Sequence, residues 1–328
     1  MQPRQMSVST IILALLAAFI VALAGFTFWQ TRRIEARFPA RGHFIDVPGG
    51  RLHFTERRPA RTRAHVVLIH GASGSEADMI EPLGAALAER DLHVWAFDRP
   101  GHGYSDRIGA EDPARQTALI RAALQSLGVE RAIIVAHSLG GVVGANFAIE
   151  YKDFTSGLVL IAPVTHPWPG GGISWYYKPA SQRWTGGVFS HLLAMPLGLA
   201  LLERAIDAVF APQRPPSDYL QRTGATLVLR PANFAANARD VAGIYDFVTL
   251  QAPRLKEISA PTGIITGDAD TIVLTQVHSY GSARDIGAAT LKVLAGVGHS
   301  PHWVDPQSVV EAIDAVALRA GAAQAARP

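Results

Sequence analysis

The chain has 328 residues, which is enough for one large domain with an insertion or for two average domains. Its composition is that of a globular protein, with 48% hydrophobic residues, 17% charged residues and a formal net charge of +3. Cysteine is absent, and this excludes a disulfide framework, a thiolate nucleophile and a cysteine metal site.

The first element is a long apolar segment. No residue from Val8 to Trp29 is charged, and about 20 helical residues suffice to cross a hydrocarbon layer of ~30 Å. Trp29 stands at the end of the segment, where an aromatic ring prefers the membrane interface, and Arg32 and Arg33 follow it. Residues 1–30 are therefore predicted to form a single-pass transmembrane helix that anchors the protein.

Two alternatives to an anchor are a buried soluble helix and a cleaved signal peptide. A soluble helix of this length has a polar face, which the segment lacks. A signal peptide would use Arg4 as its basic region and Ala22-Leu23-Ala24 as its cleavage site, although the apolar run is long for that purpose. The side of the membrane stays open, because the following arginines favour a cytoplasmic domain whereas a signal anchor places it outside.

A basic segment follows the anchor. Nine arginines lie between residues 32 and 63, against three acidic residues. Nucleic acid is not the expected partner, because no reader motif or interleaved aromatic pattern accompanies the arginines. They are expected either to lie against anionic lipid headgroups or to form a solvated face. Residues 31–42 are predicted to be a basic linker.

The next segments predict a hairpin and then a parallel sheet. His43–Val47 and Arg51–Glu56 alternate in polarity around a proline–glycine turn, which is typical of a hairpin. Continuous apolar runs follow, and such runs predict strands that are buried on both faces of a parallel sheet. The runs are Val66–Ile69, Val94–Phe97, Ala132–Val135 and Leu158–Ile161, with helical patterns between them at about 76–89, 113–127 and 140–151. This alternation predicts an α/β fold with a doubly wound, mostly parallel sheet.

The alternation stops after Ala162 and resumes near residue 263. A strand near 263–266, a helix near 274–284, a strand at Leu291–Leu294 and a last helix at about 306–319 complete the pattern. The predicted core is therefore 43–162 together with 259–320. Residues 163–258 are helical and rich in turns, and are predicted to be an inserted helical cap. The tail 321–328 is expected to fray.

Three residues predict nucleophilic catalysis. Ser138 follows a buried strand and precedes a helix, and its small neighbours permit the strained, sharp turn that exposes a serine. Because a serine hydroxyl needs a base, His299 in the glycine turn after the last strand is the predicted base. Asp270, which follows the preceding strand, is predicted to orient that base. Asp268 is the alternative acid.

The oxyanion hole is predicted to use two backbone amides. One is the N–H of Leu139, directly after the serine. The other is the N–H of Ala72 in the loop His70–Gly74, which follows the first buried strand.

The predicted cap begins with a cluster of aromatic residues, and three of the six tryptophans of the chain fall in this short window. Aromatic side chains at a pocket mouth suit an apolar acyl or alcohol group, although anchoring of the cap to the sheet is an equal alternative. The candidate substrate-binding residues are Trp168, Trp175, Tyr176 and Trp184. No metal-ligand spacing or complete dinucleotide fingerprint occurs, so neither a metal nor a cofactor is expected.

Residues 43–320 resemble the α/β-hydrolase superfamily, in its branch of lidded esterases and lipases. The resemblance rests on His70-Gly71, on Asp98–Ser105 as a D-x-P-G-x-G-x-S loop, and on the motifs around Ser138 and His299. The acid of this family stands at the fourth position of G-x-x-D, which Asp270 matches and Asp268 does not. The chain order serine, aspartate, histidine is also that of the family. Ala136 replaces the first glycine of the usual serine motif, so slight crowding of the turn is expected.

The resemblance implies a serine hydrolase that cleaves carboxylic esters through an acyl-enzyme, with a small-molecule ester or a lipid-like substrate. The same triad also serves perhydrolases, lactonases and C–C bond hydrolases, which stay as alternatives. Relatives that dehalogenate or open epoxides have an aspartate in place of Ser138, so those reactions are not expected. A catalytically silent, membrane-tethered binding protein is the alternative from a different class. The sequence determines neither the substrate nor the oligomeric state.

Overall fold

The computed structural model describes residues 7–109, 112–171, 173–182 and 184–325. Residues 1–6 of the predicted anchor, with Arg4, and residues 326–328 of the predicted tail lie outside the described residues. The strands are β1 (His43–Val47), β2 (Gly50–Arg57), β3 (Ala64–Ile69), β4 (Leu92–Phe97), β5 (Ala132–His137), β6 (Thr155–Ile161), β7 (Thr262–Gly267) and β8 (Ala289–Leu294).

The helices of the core alternate with these strands, and those of the insertion lie between β6 and β7. The core and N-terminal helices are α1 (Val8–Arg37), α2 (Glu76–Ala88), α3 (Pro113–Ser126), α4 (Gly140–Glu150), α10 (Thr275–Asp285), α11 (Pro301–Val304) and α12 (Pro306–Ala325). The insertion contains α5 (Tyr177–Ser181), α6 (Thr185–Val188), a π-helical turn (Phe189–Leu193), α7 (Ala194–Phe210), α8 (Tyr219–Thr223) and α9 (Pro231–Gln251). Short 3₁₀ turns occur at Pro169–Gly171, Ala225–Leu229 and Ala252–Glu257.

One mostly parallel sheet forms the centre of the molecule, with the order β1-β2-β4-β3-β5-β6-β7-β8. β2 is antiparallel to β1 and β4, and the other neighbouring pairs are parallel. Val67 and Ile69 of β3 belong to a core cluster with α3 and α4, whereas Val66 and Leu68 belong to a second cluster with α2 and α12. Because both faces of the strand are covered, its sequence is uniformly apolar. The predicted doubly wound α/β fold is confirmed.

The inserted helices lie over the carboxyl ends of the core strands. Asn233 of α9 donates a hydrogen bond to the carbonyl of Gly101 at 2.8 Å, and Asn237 of α9 bonds with Ser73. Both partners lie in loops that leave the sheet at this edge. The insertion is thus positioned at the edge where open α/β sheets place their ligands.

Helix α1 differs from the prediction in length, because it continues to Arg37 and makes most of the predicted linker helical. Charged side chains do not end a helix, and the next breaker in the sequence is Pro39. α1 is a candidate membrane span, because an 18-residue window within it has a mean hydropathy of 2.7. Thr185–Phe210 in the insertion, whose best window has a value of 1.5, is a second segment of the described chain that passes the same test. At the other terminus, α12 extends beyond residue 320, where the core was predicted to end.

Candidate active site

The side chains of Ser138, His299 and Asp270 form one hydrogen-bonded chain. The Ser138 hydroxyl lies 2.8 Å from His299 Nε2, and His299 Nδ1 lies 2.7 Å from Asp270 Oδ2. A carboxylate only accepts hydrogen bonds, so His299 donates through Nδ1 and its Nε2 accepts the serine hydroxyl. All three residues are buried. The fold therefore brings together the three side chains that the sequence singled out from distant loops.

Asp270 is held in place by its own loop. Its Oδ1 accepts the amides of Ile272 and Val273 at 2.8 and 2.9 Å, which leaves Oδ2 for His299. The alternative acid, Asp268, instead accepts the amide of Gly296 at 2.6 Å. Asp268 thus links the loop after β7 to the loop that carries His299, whereas Asp270 contacts the imidazole.

Ser138 occupies a strained turn, as its position predicts. Its φ is 54°, in the left-handed region that few residues other than glycine adopt. The crowding expected from Ala136 is relieved across the turn, because a Cβ added at Gly144 of α4 would lie only 2.7 Å from the Ala136 Cβ. Glycine at 144 therefore makes room for alanine at 136. This compensation lies eight positions further along the chain, outside the motif itself.

Two unpaired amides lie beside the serine. Among the described residues, neither the Ala72 N–H nor the Leu139 N–H donates a hydrogen bond. The loop that carries Ala72 is close to Ser138, since a Cβ added at Gly71 would stand 2.8 Å from the Ser138 Cβ. Donors without partners at this position have the character of an oxyanion hole.

A buried arginine fixes the loop that carries Ala72. Arg99 is fully buried, and its guanidinium donates to the carbonyls of His70 and Gly71 at 3.1 Å each. Its backbone amide donates to His70 Nε2, so the proton of that imidazole resides on Nδ1, which donates to Gly71. Burial, and then the charge of Arg99, lower the pKa of His70 to about 4. A neutral His70 therefore helps to shape the loop and does not act as a base.

The insertion supplies further contacts to the same loop. Asp240 of α9 forms an ion pair with Arg99 at 2.5 Å, and Asn237 accepts the Ser73 amide at 2.7 Å while donating to its hydroxyl at 3.1 Å. Tyr177 lies against Ser73 and Asn237, and burial raises the pKa of its hydroxyl. The contacts of these residues were not predicted from the sequence. The only signal available was polar residues at positions 233, 237 and 240, spaced along one face of a helix.

An apolar cluster lies next to the predicted oxyanion hole and includes one of the four aromatic candidates. Its buried members are Leu139, Val142, Val164, Ile244, Val248 and Val273, with Ala72, Trp168, Val241 and Phe247 packed against them. The centre of the Trp168 ring lies 5.0 Å from that of Tyr245, in a T-shaped arrangement, and 5.8 Å from that of the His278 ring. Burial lowers the pKa of His278 to about 4, so this neighbour is neutral. The side chains packed beside the predicted oxyanion hole are therefore apolar or neutral.

The other aromatic candidates do not form part of this cluster. Trp175 and Trp184 are 73% and 87% exposed, and a residue that lines an enclosed pocket is shielded by its neighbours. Tyr176 packs in a separate cluster with Ala180 and Phe234, and approaches the site only through Tyr177, whose ring lies 4.5 Å away. The sequence could not tell which of these rings face inwards, and substrate binding by these residues stays a prediction.

A second cluster of titratable groups lies behind the triad. Asp78, His137 and His302 are buried, and three of their potential ligand atoms lie within 4.8 Å of one another, so the group has the composition of a divalent metal site. His137 Nε2 donates to the backbone carbonyl of His299 at 2.9 Å, and burial lowers the pKa of His137 well below its usual range. Asp78 Oδ1 already accepts the Tyr219 hydroxyl and the Trp303 indole at 2.9 and 3.0 Å. The sequence spacing gave no indication of this group.

The fold and the site geometry define the class of protein as an α/β hydrolase. Residues 64–306 match the sequence profile of the alpha/beta hydrolase fold family, and the chain belongs to this family. The resemblance read from the motifs is confirmed.

Relatives with different names share this family. The chain is 28% identical over 284 residues to an uncharacterized protein of Mycobacterium tuberculosis. This alignment covers 83% of this chain and 79% of that protein. The chain is also 26% identical over 261 residues to a 2-hydroxy-6-oxo-6-phenylhexa-2,4-dienoate hydrolase of Comamonas testosteroni, with 77% and 86% covered. Among solved structures, a membrane phospholipase A superposes with a TM-score of 0.64 at 20% identity, covering 95% of this chain and 97% of that chain.

Proposed function

We propose that the protein is a serine hydrolase that cleaves carboxylic esters with an apolar acyl or alcohol group. The observation that carries this proposal is the continuous hydrogen-bonded chain from Ser138 through His299 to Asp270, next to two unpaired amides. The apolar cluster around Trp168 supports an apolar substrate group. The fold likeness to a phospholipase is in keeping with ester chemistry.

The proposed reaction has two steps and uses no cofactor. His299 accepts the proton of Ser138 as the hydroxyl oxygen attacks the ester carbonyl, and the amides of Ala72 and Leu139 hold the oxyanion. The imidazolium then donates its proton to the leaving alcohol. Asp270 keeps the imidazole in the required tautomer and stabilises its charged form. Water, activated by His299, hydrolyses the acyl-enzyme.

A second candidate reaction is the hydrolysis of a C–C bond, which the relationship to the dienoate hydrolase of Comamonas testosteroni favours. The same serine and histidine would serve either reaction, so the substrate decides between them. A panel of esters, lactones and 2-hydroxy-6-oxo-dienoates, followed by analysis of the products, separates the two. Release of a dienoate fragment with no turnover of any ester would favour the C–C reaction.

We further propose that α1 anchors the enzyme in a membrane as a single, uncleaved span. Its apolar length and the exposure of its side chains from Val8 to Phe26 support this assignment. In this proposal the anchor precedes a core of residues 43–162 and 259–320, and the cap is inserted in that core at residues 163–258. If the segment were instead a signal peptide cleaved after Ala24, the intact mass of the purified protein would be lower by the mass of residues 1–24.

A fluorophosphonate probe tests the catalytic proposal. We expect the full chain to be labelled, Ser138→Ala to be unlabelled, and Ser138→Ala or His299→Ala to lower kcat by on the order of 10⁴. Ser279→Ala is the matched control, because Ser279 is equally buried and its hydroxyl has no hydrogen-bond partner among the described residues. An intact protein that resists the probe would favour the silent binding protein. Near-normal turnover by a purified His299→Ala variant would remove that histidine from the mechanism.

A further inference from the structure

The cap carries a line of exposed apolar side chains on its outer surface. Leu193, Leu197 and Leu201 are 38%, 44% and 52% exposed, and their spacing of four residues places them on one face of α7 and of the turn before it. The line continues to Val188 and Trp184, which are 60% and 87% exposed. We call these five residues the apolar ridge. Single exposed leucines are common in soluble proteins, but a continuous row marks an interaction surface.

The ridge is not a loose segment that lacks a place in the fold. On the opposite side of α7, Met195 is fully buried. Gly198 lies so close to the cap interior that an added Cβ would stand 2.3 Å from Leu229. The helix is therefore held by one face while it presents the other to the surroundings.

The same part of the cap packs against the end of the proposed anchor. Ile34 of α1 and Phe38, which ends that helix, are buried in one cluster with Met195 and Leu229, and α1 contacts both α7 and the π-helical turn. The ridge and the apolar half of α1 thus belong to one continuous body. A membrane that contains α1 must lie close to the ridge.

Charged and aromatic residues mark the level of the interface on α1. The guanidinium groups of Arg32 and Arg33 lie over the rings of Phe28 and Trp29 at 5.5 and 5.0 Å. Aromatic rings followed by basic residues are the usual arrangement at a headgroup region. This level is adjacent to the stretch of α1 that packs on the cap.

We propose that the apolar ridge is inserted into the lipid bilayer beside α1, so that the cap lies on the membrane and the substrates are esters dissolved in that membrane. Amphipathic helices bind in this manner, with the apolar face at the boundary between headgroups and acyl chains. The insertion of the ridge rests on the proposed anchor, and the choice of substrate rests on the proposed esterase activity.

Site-directed spin labelling of the full chain tests the insertion. The protein has no cysteine, so each introduced cysteine is a unique attachment site. Val188→Cys and Leu197→Cys report on the ridge. Leu250→Cys on α9 and Leu318→Cys on α12 are matched controls, because these leucines are 77% and 62% exposed but lie outside the ridge. The protein is reconstituted in vesicles of phosphatidylcholine and phosphatidylglycerol, and collision rates with oxygen and with a water-soluble nickel complex are measured.

We expect labels on the ridge to collide with oxygen at least about 5-fold more, relative to the nickel complex, than the control labels, because oxygen concentrates in the acyl region. Equal ratios at all four positions would overturn the proposal. Dipolar broadening that disappears on dilution with unlabelled protein would assign the ridge to a contact between copies of this chain, and would also overturn it.

Activity tests the substrate part separately. Leu197→Glu should lower hydrolysis of a long-chain ester embedded in vesicles about 10-fold and leave hydrolysis of a short, water-soluble ester unchanged, whereas Leu318→Glu should change neither. An equal loss on both substrates would contradict a role in reaching membrane esters. If the intact protein hydrolyses no ester, the proposed esterase function fails, and the label collisions alone decide whether the ridge is inserted.

Discussion

At the scale of single residues, the site depends on positions where the backbone approaches its neighbours so closely that a Cβ atom would not fit. Ser138 has a left-handed backbone, and the approach of the neighbouring loop is possible because residue 71 is glycine. On the other side of the turn, a Cβ added at Gly140 would lie 2.6 Å from the carbonyl oxygen of His70. The strand, the helix and the loop that carries Ala72 can therefore converge on one hydroxyl. This convergence brings two amides that have no partner among the described residues next to Ser138.

A buried group of acids and a histidine near the loop Asp98–Ser105 titrates in a way that can be measured. Asp98 accepts His53 Nδ1 at 2.7 Å and the Glu76 amide at 2.9 Å. Burial and the charge of Asp98 raise the pKa of Glu76 from 4.5 to about 8. Although burial acts in the opposite direction, the bond with Asp98 raises the pKa of His53. At neutral pH Glu76 is thus mostly protonated, and its Oε2 accepts the Thr55 hydroxyl at 2.7 Å.

The raised pKa of Glu76 predicts a pH-dependent stability. A carboxyl group whose pKa is higher in the folded state stabilises the fold fully below about pH 4.5, and this contribution is lost as the pH rises to about 8. Glu76→Gln imitates the protonated acid without titrating. The free energy of unfolding of the wild type should therefore fall relative to Glu76→Gln between pH 5 and 8, by at most about 1.4 kcal/mol per pH unit.

Chemical denaturation of the full chain in detergent, repeated across that pH range, measures the difference. Glu89→Gln is the control, because Glu89 is exposed and should follow the wild type. If the free energy of unfolding changed with pH in the same way in wild type and Glu76→Gln, Glu76 would be ionised in the folded protein.

At the scale of elements, α9 joins the cap to the carboxyl edge of the sheet through a row of buried polar residues. Asn233, Asn237 and Asp240 recur at intervals of four and three residues, so they lie on one helix face. Each of them contacts a core loop: Asn233 the carbonyls of Gly101 and Gly103, Asn237 the loop of Ala72, and Asp240 the guanidinium of Arg99. A helix usually buries apolar side chains. Helix α9 buries polar ones because the buried backbone groups of these loops, and the Arg99 guanidinium, need hydrogen-bond partners.

The bond between α9 and the loop of Ala72 predicts a positioning role for Asn237. Asn237→Ala removes the acceptor of the Ser73 amide, so the loop should become less ordered and kcat should fall about 10-fold, with KM and the melting temperature little changed. Asn237→Asp keeps that acceptor and should restore most of the lost kcat. A fall in the melting temperature with unchanged kcat would instead show a purely structural role. Steady-state kinetics and thermal unfolding of the three proteins distinguish these results.

The elements differ in how far the sequence predicts them. Uniformly apolar runs such as Val66–Ile69 became the central strands, because only one arrangement buries both faces of a strand. The apolar periodicity of the core helices also predicted α2, α3, α4 and α10 to within one residue at each end. The short helix α11 was not predicted, and α12 continues beyond its predicted end at residue 319. The cap was predicted only as a helical insertion, since the length and packing of α9 depend on loops that are far away in sequence.

The site was predictable where a motif fixes both residue type and position. Ser138, His299 and Asp270 follow strands whose ends must share one edge, and the structure places them in contact. The roles of Asp240 and Asn237 were not predictable, because nothing in the helical pattern names their partners. Exposure of Trp175 and Trp184 was not predictable either, since an aromatic window indicates burial only when its neighbours are known.

At the scale of the whole molecule, α1 is both a candidate span and a part of the folded body. Its first half is exposed, whereas Thr27 and Ile34 further along the helix are buried. Glu35 pairs with Arg230 of the cap at 3.3 Å, and the Tyr104 hydroxyl donates to the carbonyl of Phe38. The end of α1 is thus tied to the cap and to a loop at the carboxyl edge of the core sheet. The sequence predicted residues 31–42 to be a basic linker, whereas in the structure most of this segment is helical and packs against the cap.

This attachment predicts different results for two truncations. Removal of residues 1–24 takes away most of the exposed apolar half of α1 and keeps the docked half. That protein should leave the carbonate-resistant membrane fraction, fold, and hydrolyse water-soluble esters normally. Removal of residues 1–38 also deletes Ile34 and Phe38, whose burial contributes about 1.5–3 kcal/mol each. Its melting temperature should therefore be lower by on the order of 5 °C or more, with Met195 and Leu227 newly exposed.

Thermal unfolding of the two truncated proteins, with binding of an apolar dye as a measure of exposed surface, compares them directly. The substitution Ile34→Ala in the shorter truncation is the matched intermediate, because it removes one packed side chain and leaves the helix intact. Its melting temperature should fall between the two. Identical stability of all three proteins would mean that α1 does not pack on the cap in solution. The anchor would then act only as a tether, and the level of the cap relative to the membrane would no longer be fixed by α1.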